Sequence, residues 1–424
     1  MPSSTTLVRV SPVHGGLAQP VQRVIAKPDL ASWATLVAID VNDNDRTMLY
    51  RIGDGILSPL TGPMVEADYR SVLDKRAIQR GGKSWAWTIP IVLPVTDAEA
   101  AKLKPGTEAA LCFEGKAFGK LTVQSVFSWD RSELVRIVYG TPRVDHPGAR
   151  LWNADPRTKA VGGEITLAPF VDARPFAKRI LPPTETRKLI EKNGYEQSVA
   201  FQTRNPLHRA HEYALVYGAE SILRKTGKRT GVILNPLVGQ LKGDDVPADV
   251  RMQTYEALVE GRFLGQGDMD EALWKSKGQN LNDQLHLIGL DMRMFYGGPS
   301  EAVMHAIYRQ NLGFTNFIIG RKHADAPFDD KTAIWGDFDA QEIFKKLGGE
   351  LSIQTVNVGF AAYFEEIGRV GLVEDNTGKT QVSISGTKIR EILGKGEFPD
   401  ARVMRPSTAK VLATYYQKVD EQKK

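Results

Sequence analysis

Cysteine is nearly absent: Cys112 stands alone in 424 residues. One thiol excludes an intrachain disulfide and any multi-cysteine zinc or iron–sulfur site, so no structural zinc is expected. Its surroundings, Ala-Ala-Leu-Cys-Phe-Glu-Gly, alternate like a strand and read as a buried structural position. Long apolar runs are lacking too. None approaches the roughly 18 residues that a transmembrane helix needs. The opening Met-Pro-Ser-Ser-Thr-Thr-Leu-Val-Arg-Val has no basic-then-apolar form of a secretory signal. A cytoplasmic protein without a membrane partner is expected. An excess of one charge is missing as well. The net charge is +5, and the Lys and Arg residues are scattered rather than clustered. That argues against a nucleic-acid track and leaves small anionic substrates open. There is no Gly-x-x-x-x-Gly-Lys-Ser/Thr loop, no Gly-x-Gly-x-x-Gly after a strand and no Gly-x-Ser-x-Gly elbow.

The length is too great for one ordinary core, so two or three domains are expected. Up to about residue 170, short alternating runs at 85–95, 108–113, 120–126 and 133–139 are separated by turn residues. They predict a β sheet or barrel, interrupted by a helical patch over 66–78. Gly162-Gly163 and residues 169–183 read as a linker. Strand and helix patterns then alternate. Strands are predicted at 198–201, 230–234, 285–290 and 316–320, and helices at 208–224, 247–262 and 300–311. Such alternation argues for an α/β fold with a largely parallel sheet. From about residue 336 a strand (351–358) and two helices (388–393 and 408–418) predict a small α/β unit or a continuation of the second domain. The expected division is 1–175, 176–335 and 336–424, with a frayed charged tail at 418–424.

The chemistry concentrates at Gln202-Thr203-Arg204-Asn205-Pro206-Leu207-His208-Arg209-Ala210-His211. In open α/β sheets, ligands lie at the carboxyl ends of strands, where helix N-termini point N–H groups at anions. Residues 202–205 fall at that edge. Pro206 suits a first helical turn, which places His208 and His211 inside the helix, one turn apart on one face. An arginine, two amides and two imidazoles at a positive helix end suit a polyphosphate beside a second anion. Gly320-Arg321-Lys322-His323-Ala324 follows another strand end, at 316–319. There Gly permits close backbone approach, and Arg offers a planar fork for oxyanions. Three further segments are candidates for the same edge. Ser383–Arg390 could cap a helix or hold a phosphate, Asn235–Asp245 could line the site or simply connect, and Arg293 is a third candidate anion contact. No metal site is read: His208 and His211 have no third ligand at helical spacing.

At these residues the chain resembles the ATP sulfurylases (sulfate adenylyltransferases). Residues 202–211 match that family's Gln-Thr-Arg-Asn-Pro-x-His-x-x-His throughout. Residues 320–325 resemble its Gly-Arg-Asp-His-Ala-Gly, and residues 384–390 its Ile-Ser-Gly-Thr-x-x-Arg. Segments 58–64, 87–90, 139–141 and 146–148 extend the likeness over most of the chain. There are departures: Lys322 stands where the family usually has Asp, Asp325 where it has Gly, and Asn235 where His is common. The resemblance implies a PUA-like β-barrel domain, a Rossmann-like nucleotidyltransferase domain and a small C-terminal domain. It implies that MgATP and sulfate give adenosine 5'-phosphosulfate and pyrophosphate, usually in a homo-oligomer. It assigns sulfate to Gln202, Arg204 and the Ala324 backbone. Thr203, Arg204 and Asn205 are implied as active-site residues, with His208 and His211 stabilising the transition state. Gln202, Thr203, Arg204, Asn205, Gly320, Arg321, Lys322, His323 and Ala361 are implied to contact ATP.

Two other readings are open at this point. A nucleotidyltransferase of the same fold acting on a phosphorylated acceptor shares the His-x-x-His and Ile-Ser-Gly-Thr-x-x-Arg patterns. Gln202-x-Arg204, suited to a small tetrahedral dianion, argues against it. An RNA-binding protein is the other, and steep salt dependence of RNA affinity would mark it.

Overall fold

The structure, a computed structural model, describes residues 8–241, 245–384 and 386–421. Its first part is built on a five-stranded sheet in the order Val37–Asp40, Glu108–Phe113, Lys116–Ser128, Lys159–Leu167, Leu93–Val95. The first pair is parallel and the others antiparallel. Cys112 is buried there. A separate hairpin joins Ala77–Arg80 to Lys83–Ala86, so only the ends of the run at 85–95 are strand. The patch at 66–78 contains the helix Glu66–Lys75.

Two expectations are corrected in this part. Residues 133–139 belong to the helix Arg131–Tyr139. Asp130 caps it by accepting from the backbone N–H groups of Ser132 and Glu133, and Gly140 ends it in the left-handed conformation. Leu134, Val135 and Val138 are buried along one side, a spacing of one and three that suits a helix rather than a strand. Gly162-Gly163 are not a linker but the middle of the strand Lys159–Leu167. The segment containing Thr61 and Pro63 crosses the strand here, with Gly163 N–H and Ile165 N–H donating to the Pro63 and Thr61 carbonyls. A Cβ on Gly162 would overlap the Met64 carbonyl. Two glycines mark a close backbone crossing rather than a flexible joint.

The central sheet contains β1 (Gln197–Phe201), β2 (Thr230–Leu234), β3 (Leu285–Leu287), β4 (Asn316–Ile319) and β5 (Gln354–Asn357), in the order β3-β2-β1-β4-β5. Every pairing is parallel. Helices α1 (Arg209–Thr226), α2 (Ala248–Glu260) and α3 (Gly298–Asn311) accompany it. Alternate strand residues feed two cores. Val199, Phe201, Val232, Leu234 and Ile318 face one, while Ala200, Ile233, Phe317 and Ile319 face the other. Burial on both faces is why these strands read as continuous apolar runs. The second core is continuous with that of the N-terminal part. β5 lies beyond residue 335 yet pairs along β4 from Asn316↔Gln354 to Ile319↔Asn357. The sheet therefore extends into the expected third segment. Beyond it come a three-stranded antiparallel sheet (Arg369–Leu372, Ala361–Phe364, Gln381–Val382) and helices α4 (Gly386–Gly394) and α5 (Pro406–Glu421). Helices α4 and α5 pack around Val250 of α2. Among the described residues, no helix is long and apolar enough to cross a membrane.

One buried ion cluster ties this last segment to α1. Arg405 Nε donates to Glu212 Oε2 at 2.7 Å and lies 3.5 Å from Asp268, which also accepts from Arg209. Both carboxylates are fully buried. Removing one partner of such a group typically costs about 3–5 kcal/mol. Arg405→Ala is therefore expected to lower the thermal midpoint by several degrees or more, measured by calorimetry. An unchanged midpoint would show that the cluster contributes little to stability.

Candidate active site

The strand order reverses direction at β1 and β4, the topological switch point where open parallel sheets bind ligands. The loops leaving these two strands meet there around a cavity of about 340 Å³. From the first loop, Gln202, Thr203, Arg204, Asn205, His208 and His211 line it. From the second come Gly320, Arg321, His323 and Ala324, and Ala361 closes it from the antiparallel sheet. Residues far apart in the chain are thus brought to one pocket.

The first loop is held by the Thr203 side chain and by groups from neighbouring elements. Thr203 Oγ donates to the Asn205 carbonyl and accepts from Asn205 N–H. Tyr255 OH donates to that same carbonyl at 2.8 Å, and Leu237 N–H donates to the Thr203 carbonyl. Arg204 extends over the Tyr296 ring, 4.9 Å from its centroid, and one amino group reaches the Asp325 carbonyl at 3.3 Å. Buried and without a hydrogen-bond partner are Gln202 Oε1, Arg204 Nη1 and His211 Nδ1. Buried polar atoms are ordinarily paired. Three such atoms on residues lining one cavity are the mark of a site built for a polar ligand.

The helix start differs from expectation. α1 begins at Arg209, with His208 in extended conformation as its N-cap residue. Pro206 therefore lies outside the helix, not in its first turn. The Arg209 N–H is already used by the Val403 carbonyl, so the helix end presents fewer free donors than a bare N-terminus. The two imidazoles nevertheless meet: their rings stack with centroids 3.8 Å apart and planes 22° apart. Burial pulls His208 down to about 4. Burial, reinforced by His208, pulls His211 well below the usual imidazole range. In the ligand-free protein both rings are neutral at pH 7.

The second loop is strained where it approaches the cavity. Lys322 and Ala324 both take positive φ, 48° and 58°, a conformation that costs non-glycine residues on the order of 1–3 kcal/mol. Arg321 lies 3.7 Å over the Phe360 ring and 3.5 Å from Asp337. Lys322 does not line the cavity. Its ammonium turns to Asp337 at 3.5 Å, and its backbone N–H donates to the Asp337 carbonyl. Asp325 is absent from the lining as well, and burial raises its carboxyl.

Other candidates fall elsewhere. The Arg293 guanidinium packs over Trp152 and Phe295 in a separate cavity with Asp45 and Arg157. Its segment instead contributes Met294 to the pocket lining, and Tyr296 beneath Arg204. Asn235 is buried and donates to the Ile288 carbonyl at 2.5 Å. It supports the β2 end rather than lining the cavity. Lys242, Gly243, Asp244 and Ser385 lie outside the described residues. Ser383 and Ile384 border a small crevice beside His208 and Ala361, which places that segment next to the site. The sequence reading missed Arg251, which donates to the Leu237 and Val246 carbonyls, and Arg309, which donates to the Asn235 carbonyl. Isolated arginines in helices carry no signal that they brace a neighbouring loop.

A family model described as ATP-sulfurylase matches residues 177–415, and one described as PUA-like domain matches residues 10–169. The chain is 66% identical over 413 residues to a sulfate adenylyltransferase of Pyropia yezoensis, covering 97% of this chain and 98% of that protein. It is 37% identical to a sulfate adenylyltransferase of Symbiobacterium thermophilum, covering 86% and 85%. A solved structure titled hexameric APS kinase from Thiobacillus denitrificans superposes with a TM-score of 0.69 at 20% identity, covering 96% of this chain and 69% of that one. At that identity the likeness speaks for the fold alone.

Proposed function

The chain belongs to the ATP-sulfurylase family, and on that premise we propose how its pocket carries out adenylyl transfer from ATP to sulfate, releasing pyrophosphate. The observation that carries the assignment is the set of unpartnered buried atoms on Gln202, Arg204 and His211 in one cavity. Gln202, Arg204 and the backbone of Ala324 hold sulfate. Thr203 and Asn205 fix the turn that aims them. Residues 202–205, Gly320, Arg321, His323 and Ala361 contact ATP. Lys322 shapes the turn instead of touching ATP, since its ammonium and its backbone N–H are both held by Asp337.

Sulfate is a dianion at neutral pH and needs no general base. It is a weak nucleophile, and it approaches another polyanion. Catalysis therefore rests on positioning and charge neutralisation. A sulfate oxygen attacks the α-phosphorus in line, and the bond to the β-phosphate bridging oxygen breaks. Charge develops on the departing pyrophosphate. His208 and His211, neutral in the free protein, meet it as N–H donors. Among the described residues, the pocket lining carries no carboxylate, and no group of three or more His, Cys, Asp or Glu is suited to a metal. Magnesium would enter as MgATP, held by phosphate oxygens and water, and would supply charge neutralisation there. From the same family likeness, we read the enzyme as a homo-oligomer working in the cytoplasm.

The test is pyrophosphate release from MgATP. It should depend on sulfate, and molybdate should substitute for it. Release that follows a phosphorylated acceptor and ignores sulfate would overturn the reading.

A further inference from the structure

Behind the cavity lie two buried titratable groups that the roles above do not use, Glu301 and His305, in line with the half-buried His323 at its wall. Glu301 and His305 sit one turn apart on α3, with His305 Nε2 3.2 Å from Glu301 Oε1, near enough to exchange a proton, although in the ligand-free protein that nitrogen makes no hydrogen bond. His305 Nδ1 is 3.0 Å from His323 Nε2, and His323 lines the cavity. Glu301 and His305 have no exposed surface. The Glu301 carboxyl also accepts from Phe295 N–H at 2.8 Å and Gly297 N–H at 3.0 Å. The line therefore runs from a carboxyl seated on two backbone donors, through one imidazole, to another at the ligand.

Hydrogen-bond bookkeeping restricts the protons. Two imidazole nitrogens 3.0 Å apart share one proton. If His305 donates from Nδ1, its Nε2 is an acceptor, and a group that pairs with it must donate. The group within reach is Glu301, which could donate only as the neutral acid; with the opposite tautomer, His323 donates and His305 Nε2–H faces the carboxylate. The surroundings favour the neutral acid. Burial raises the Glu301 carboxyl to about 7. Burial, with Arg309 and Arg204 nearby, holds His305 well below the imidazole range. Burial, with His305 and Arg309, does the same for His323, although Glu301 opposes it. The other charged or titratable groups that feel Glu301 are Tyr139, His146, Tyr308 and Arg293, besides Arg309 and Arg204.

We propose that Glu301, His305 and His323 form a proton relay that charges His323 when nucleotide phosphates enter the pocket. The Glu301 proton passes to His305 Nε2, and the proton on His305 Nδ1 passes to His323 Nε2. His305 ends neutral in its other tautomer. His323 becomes an imidazolium beside the phosphates, and the Glu301 carboxylate is left on the Phe295 and Gly297 N–H groups. No proton enters or leaves the protein. The polyanion thus meets a cation that the empty site does not have to hold. His323 is the contact residue, and Glu301 and His305 act through it. The inference rests on reading the cavity as a triphosphate site.

The relay is tested by MgATP dissociation constants for wild type, His305→Asn and Glu301→Gln from about pH 6 to about pH 9. In His305→Asn, the introduced amide can donate to His323 in place of Nδ1–H but cannot pass a proton. The relay binds ATP in its protonated form, so wild type has the advantage while Glu301 keeps its proton. Near pH 6, both variants should bind MgATP about tenfold more weakly than wild type, and the gap should close as pH rises past about 7. A gap that stays constant with pH marks a purely structural role and overturns the proposal, as does no gap at all. Glu301 also holds Phe295 and Gly297, so should Glu301→Gln fail to fold, His305→Asn decides alone. In wild type, the imidazole ¹⁵N resonances of His323 should shift to the protonated pattern when MgATP is added at about pH 6.5, close to the ordinary imidazole value, and a neutral pattern refutes the charge transfer. Wild type that binds no MgATP would refute the triphosphate reading itself.

Discussion

Arg204→Ala is expected to lower sulfate-dependent pyrophosphate release by on the order of 10²–10³, the cost of losing one preorganised charge-stabilising donor group. The geometry makes this side chain hard to replace. Tyr296 supports its flat face, one amino group is fixed on the Asp325 carbonyl, and the other has no partner until a ligand arrives. Such a guanidinium is already oriented before sulfate binds, so little ordering cost remains. Alanine would leave a dianion beside a polyphosphate with no matching charge. Lysine should restore little, because a point charge on a flexible stem neither stacks on Tyr296 nor reaches the Asp325 carbonyl and the ligand together. The measurement is initial rate against sulfate concentration at saturating ATP. A variant that still saturates at wild-type sulfate concentrations would remove Arg204 from the sulfate site.

Much of this site was legible in the sequence because it is local. Residues 202–211 and 320–324 follow apolar runs, and apolar runs buried on both faces reveal parallel strands. The sheet order then brings both loops to one edge. What escaped reading depends on tertiary direction. Along 292–296 the backbone alternates, so Met294 and Arg293 serve different cavities. Nothing in the segment says which parity faces the ligand. Arg293, the natural choice for an anion site, is the residue turned away. The Glu301 and His305 pair has the four-residue spacing of one helix face, but its meaning comes from His323, which arrives after β4. Lys322 seemed to add a cation to the site. A turn with positive φ at Lys322 and Ala324 sends its ammonium to Asp337 instead. The helix start was misread by a few residues because Pro206 suits a first turn and equally suits the extended approach to His208 seen here.

His208→Ala and His211→Ala should each reduce turnover by about 10²–10³ while MgATP still binds. Both rings are neutral and stacked at 3.8 Å. Each therefore helps to hold the other's N–H in line with the charge that grows on pyrophosphate. If the pair works as a unit, the double variant should lose little more than either single one, as happens when one group orients another. Effects that multiply would show two independent contacts. Replacing His208 with Gln, which keeps an N–H donor without an ionisable ring, should recover part of the rate if the neutral ring acts as a donor. If it recovers none, the proton drawn onto the ring by the bound polyanion is the active form, and the low affinity for protons in the empty site is what the nucleotide reverses. Unchanged turnover in both alanine variants would sink the assignment of the two imidazoles to the leaving group.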